Sequence, residues 1–150
     1  MKQKKEAGIA EKERRFGVDI SAEDVVVTQG VSEAIGFLTL TLLDEGGEVL
    51  LPGPAYPVYM SYAQLAGGRI VTYRCSEEDG WQPDVDDIRR KVSERTRAIV
   101  VINPNNPCGV VYSEKVVKEV ADIAAEHGIP LISDEIYDRI TFDLSLIHIS

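Results

Sequence analysis

Residues 98–109 read AIVVINPNNPCG, and the organisation of the chain follows from how this stretch is parsed. Ala98 to Ile102 is five apolar residues without alternation, the pattern of a strand buried on both faces. Asn103 to Gly109 then sets three asparagines, two prolines and a glycine in a rigid turn, with its Asn-Pro bonds candidates for cis geometry. Downstream, Val116, Val117, Val120, Ile123 and Ala124 mark one face of a helix, with Ser113 as N-cap and Gly128 and Pro130 as its stop. Leu131-Ile132-Ser133 enters a further strand that ends at Asp134. Strand, helix and strand in this order form a parallel crossover unit.

The same alternation extends upstream. Residues 1–16 are polar and helical, and Val25 to Gln29 is a β-branched run ending at Gly30 that reads as a buried strand. Ser32 to Leu43 is a helix, apolar on most sides and therefore expected to be well buried. Glu48 to Leu51 is a strand stopped by Pro52-Gly53-Pro54, Tyr56 to Leu65 a helix, and Arg69 to Tyr73 a strand. Val85, Ile88 and Val92 form the inner face of a short helix. The fold class is α/β: three αβα layers around a mostly parallel sheet.

Composition narrows the partners. The chain has 150 residues, 44% hydrophobic and 27% charged, which suits one folded domain. Its net charge of −9 is uneven: six Lys/Arg face three Glu in residues 1–16, and ten face twenty-two Asp/Glu thereafter. Such an acidic domain argues against nucleic-acid binding, and no run reaches the length of a membrane span. The polar start lacks the apolar core of a signal peptide, so a cytoplasmic location is expected. Cys75 and Cys108 have neither metal-ligand spacing nor the number of a disulfide scaffold, and reduced thiols are expected. No metal site is expected from His127 and His148.

In parallel α/β sheets a ligand sits at the carboxyl ends of the strands. The Gly30-Val31-Ser32 turn runs directly into a helix, either as an anion site built from free N–H groups or as a tight turn capped by Ser32. Tyr56 follows the next strand, placed either to lie on an aromatic ligand or to pack under a loop. The asparagine turn follows the third. Asp134 ends the last, where a carboxylate either caps local groups or meets a cationic ligand atom.

Taken in order, VVVTQGVSEAI, LLPGPAYPVY, NPNNPCG and SDEIYDRI resemble the large domain of class I/II aminotransferases, the fold-type-I pyridoxal-phosphate enzymes. The resemblance runs from about Glu6 to Asp143 and is nearest to the aspartate/alanine/aromatic branch. It implies pyridoxal 5'-phosphate as cofactor, an amino acid and a 2-oxo acid as substrates, and a homodimer. By resemblance, Gly30, Val31 and Ser32 form the phosphate cup, and Tyr56 stacks on the pyridine face. Asn106 bonds the cofactor's 3′-oxygen near the substrate carboxylate, Asp134 pairs with the pyridinium nitrogen, and Tyr137 also bonds the 3′-oxygen. Cys108 stands where threonine is more usual.

The resemblance also implies a Schiff-base lysine a few dozen residues after the SDEIY segment. The seven lysines, Lys2, Lys4, Lys5, Lys12, Lys91, Lys115 and Lys118, all precede Asp134 on polar helical faces, so no catalytic residue is assigned within the chain. Residues 1–143 are expected to be part of the large domain, and residues 144–150, LSLIHIS, a non-native tail. On this reading the 150 residues alone are inactive. The alternatives are another fold-type-I enzyme, such as a C–S lyase, and a non-catalytic regulatory domain of the same fold.

Overall fold

Four parallel strands form one sheet in a computed structural model of the chain, which describes residues 2–14 and 17–140. In chain order the elements are α1 (Lys2–Arg14), α2 (Val31–Leu42), β1 (Glu48–Gly53), α3 (Val58–Leu65), β2 (Arg69–Arg74), α4 (Val85–Lys91), β3 (Thr96–Ile102), α5 (Glu114–His127) and β4 (Leu131–Asp134). The spatial order is β2-β1-β3-β4, so the two most apolar strands take the centre. Ile102 pairs with Asp134 at the top of the β3–β4 ladder, bringing the ends of these strands level.

The pleat divides the core. Ile99 and Val101 point to one face with Leu50 and Tyr73, where Ile88 of α4 and Val120, Ile123 and Ala124 of α5 cover them. Ala98, Val100 and Ile102 point to the other with Val49 and Leu51, beneath Ile35 of α2 and Tyr59 and Ala63 of α3. The three-layer αβα expectation is met. Ser113 caps α5, its hydroxyl accepting from the Val116 N–H at 3.3 Å, and Gly128 closes the helix at φ +64°. Gly36 lets α2 and α3 approach closely, since a Cβ there would lie 2.8 Å from the Tyr62 ring.

Two expectations are corrected. Val25 to Gln29 is not a strand: no described segment pairs with it, and Val26 is 71% exposed. A β-branched run becomes a strand only where a neighbour receives its backbone hydrogen bonds. Nor is α2 well buried: Phe37, Leu38 and Leu40 are exposed, because α2 packs on the sheet and α3 along one side only. The expected non-native tail, residues 144–150, lies outside the described residues. Cys75 and Cys108 are free.

Candidate functional site

The ends of β1, β3 and β4 surround a cleft of about 100 Å³ lined by Val31, Tyr56, Ile102, Asn106, Asp134, Ile136 and Tyr137. Apolar cavities of about 150 Å³ hold a benzene ring, so the cleft matches one edge of an aromatic ligand in scale. Five of the seven residues singled out in the sequence line it. Gly30 and Ser32 do not, although both adjoin Val31, which does.

Gly30 is the N-cap of α2, at φ +99°, a conformation that L side chains rarely adopt. Ser32 is therefore a first-turn residue and not the cap. The first N–H groups of α2 have no carbonyl four residues behind them, the condition for an anion site. The turn is held from its sides: the Thr28 hydroxyl donates to the Gly30 carbonyl at 3.0 Å, and the Gln29 N–H to the Glu33 carboxylate at 2.6 Å.

The asparagine turn divides its labour. Asn103 accepts from the Tyr112 N–H at 2.9 Å and donates its own N–H to the Asp134 carbonyl at 3.0 Å. Asn105 is buried; its amide donates to the Tyr112 hydroxyl at 2.8 Å and its oxygen accepts from the Cys108 N–H at 3.1 Å. Asn106 is left facing the cleft, its amide in a long 3.4 Å contact with the Tyr137 hydroxyl. Asn103–Pro104 and Asn106–Pro107 are both cis, and so is Gly53–Pro54.

Asp134 is 6% exposed. Its Oδ2 accepts from the Tyr59 hydroxyl at 3.0 Å, and its Oδ1 from the Ile136 N–H at a long 3.4 Å. A carboxylate offers about four acceptor positions, and a buried one is costly unless they are filled. Among the described residues no Lys, Arg or His pairs with it. The carboxylate thus caps one local N–H weakly and keeps capacity for a cationic donor. Burial, and after it the Asp134 charge, pushes the Tyr59 phenol above its ordinary range, so Tyr59 is a donor at any physiological pH.

Tyr59 escaped the sequence reading, as did Asn105 and Tyr112. The signal for Tyr59 was its position three residues after Tyr56 at a helix start, where both side chains project to one side. Ile102 and Ile136, which supply the cleft's apolar walls, carried no such signal.

A parallel α/β domain in which a buried carboxylate at the carboxyl end of a strand shares a cleft with two tyrosines and an asparagine defines a class, and sequence comparison places the chain within it. The profile for "Aminotransferase class I and II" matches residues 5–148, and the chain belongs to that family. It is 49% identical over 129 residues to the alanine aminotransferase of Mycobacterium tuberculosis, covering 86% of this chain and 29% of that protein. It is 46% identical over 125 residues to the glutamate-pyruvate aminotransferase AlaA of Escherichia coli, covering 83% and 31%. Among solved structures, an alanine aminotransferase from Pyrococcus furiosus superposes with a TM-score of 0.91 at 49% identity, over 98% of this chain and 37% of that one. An aspartate aminotransferase from Thermus thermophilus with maleate gives 0.91 at 36% identity, over 95% and 38%. The chain therefore spans about a third of the length of these relatives.

The family is pyridoxal-phosphate-dependent, and the residues present fit that group. A buried carboxylate with unfilled acceptor capacity suits a protonated ring nitrogen, Tyr56 is an aromatic wall, and the α2 start suits a phosphate.

Proposed function

We propose that these 150 residues are the cofactor-binding part of a pyridoxal-phosphate-dependent aminotransferase, which moves an amino group between an amino acid and a 2-oxo acid. The observation that carries the reading is Asp134: a buried carboxylate at a strand end, open to a cleft it shares with Tyr56, Asn106 and Tyr137. Bound there, pyridoxal phosphate supplies an electron sink for the substrate's α-carbon. Asp134 holds a proton on the ring nitrogen by charge pairing. Tyr56 orients the ring, Asn106 and Tyr137 bond its phenolic oxygen, and the Gly30, Val31 and Ser32 turn binds the phosphate. Asn106 also borders the substrate carboxylate.

Among the described residues no lysine lines the cleft, so on this reading the covalent partner comes from elsewhere in the protein that carries them. A homodimer is part of the proposal, supported by the apolar outer face of α2 at Phe37, Leu38 and Leu40. A cytoplasmic location belongs to it as well. The test uses the protein that carries these residues, purified with pyridoxal phosphate and assayed for amino transfer from alanine to 2-oxoglutarate. Transfer that drops at least a hundredfold in Asp134→Ala supports the reading. An undiminished rate in that variant, or no transfer from any amino acid tried, refutes it.

A further inference from the structure

The asparagine turn, the α2 start and the cleft residues are absorbed by the reading above, but the Tyr59 hydroxyl is not. Tyr59 is 3% exposed, in the first turn of α3, and its phenol meets a carboxylate 75 residues away in sequence. A phenylalanine would fill the same space, so the hydroxyl contributes only what it bonds. Burying an O–H is unfavourable unless it has a partner, and its partner is Asp134 Oδ2 at 3.0 Å.

We propose that Tyr59 is a positioning residue, whose hydroxyl holds Asp134 Oδ2 from behind and leaves Oδ1 to meet the ring nitrogen of the bound cofactor. This rests on the reading that Asp134 pairs with that nitrogen. The direction of the bond is fixed, because a neutral phenol facing a carboxylate donates its proton. A charge-assisted bond of this kind favours the carboxylate as the anion that a pyridinium requires.

The arrangement is compact. The Tyr59 N–H donates to the Tyr56 carbonyl at 3.4 Å, so a single turn at the α3 start delivers both a wall of the cleft and the brace for its carboxylate. The Asn103 N–H in turn donates to the Asp134 carbonyl at 3.0 Å. The side chain of Asp134 is thus held by the first turn of α3 and its backbone by the residue that follows β3.

The experiment is a double-mutant cycle in the protein that carries these residues, with Tyr59→Phe, Asp134→Asn and the pair. It reads pyridoxal phosphate affinity by equilibrium titration and the pH midpoint of the bound cofactor's visible absorption. Tyr59→Phe is expected to weaken affinity about tenfold and move the midpoint, whereas in the Asp134→Asn background the same change alters affinity less than twofold. Thermal melts of the cofactor-free forms check that each variant folds. Equal losses in both backgrounds, or an unchanged Tyr59→Phe, overturn the inference while leaving the site reading standing. A parent that takes up no pyridoxal phosphate, or an Asp134→Asn variant that binds it as the parent does, overturns the site reading and the inference together.

Discussion

Replacing Glu48 by glutamine tests whether the end of the sheet remote from the cleft is held by charge. Glu48 opens β1 and is 4% exposed. Its carboxylate accepts from the Arg69 guanidinium through two nitrogens and from the Ser93 hydroxyl at 2.9 Å. These bonds tie β1 to β2 and to the loop entering β3. The Arg69 hydrogen bond holds the Glu48 carboxyl below its ordinary value of 4.5, against the opposing effect of burial. Hydrogen bonds to a charged group contribute roughly 1.5–3 kcal/mol each. Arg69 is 61% exposed, so water screens its share, and the low end applies. The expected loss in Glu48→Gln is about 1.5 kcal/mol at pH 7, or about 1 M in urea midpoint for a slope near 1.5 kcal/mol/M. A carboxyl with a lowered folded-state pKa stabilises fully above its unfolded value and loses that contribution as pH falls through the folded one. The urea midpoints of parent and variant, followed by circular dichroism, should differ at pH 7, and the gap should narrow as pH is taken progressively below 4.5. A gap that is missing at pH 7, or that widens as the medium is acidified, would refute the reasoning.

Two further outcomes are expected. Gly36→Ala places a methyl 2.8 Å from Tyr62 Cζ, and the half-buried ring must tilt away. The cost is about 1–2 kcal/mol in thermal or urea unfolding, and Tyr62→Ala in the same chain should recover part of it; a double variant worse than the sum of the singles would contradict the clash. Burial pushes the Cys75 thiol up to about 11 and also raises that of the less buried Cys108. Only thiolates alkylate, so iodoacetamide at pH 8 should label Cys108 first and Cys75 only after denaturant, whereas equal labelling rates by mass spectrometry would show that Cys75 is open.

What was legible in the sequence was what local pattern decides. Ala98 to Ile102 is apolar at every position because the strand is covered on both faces, and such a run has few other readings. The α5 boundaries were visible because Ser113 and Gly128 act on backbone within a few residues of themselves. Parallel topology then put Tyr56, Asn106, Asp134 and Tyr137 at the carboxyl ends of neighbouring strands, where all four line the cleft. What failed was non-local. Val25 to Gln29 has the composition of a strand, but pairing depends on a neighbour that no property of those five residues reports. Phe37, Leu38 and Leu40 are as apolar as Ile35, and which of them is covered depends on what packs outside α2. Tyr59 and Glu48 were missed for the same reason, since the partners that give them meaning, Asp134 in one case and Arg69 and Ser93 in the other, lie 21 to 75 residues away.

The central claim is that Asp134 pairs with a protonated ring nitrogen in the cleft. The measurement that tests it most directly compares the affinity of the protein carrying these residues for pyridoxal phosphate and for its 1-deaza analogue, in which a C–H replaces that nitrogen. The account predicts that the analogue binds at least tenfold more weakly, and that Asp134→Asn removes most of the difference. Equal affinity for the two compounds in the parent protein would contradict it.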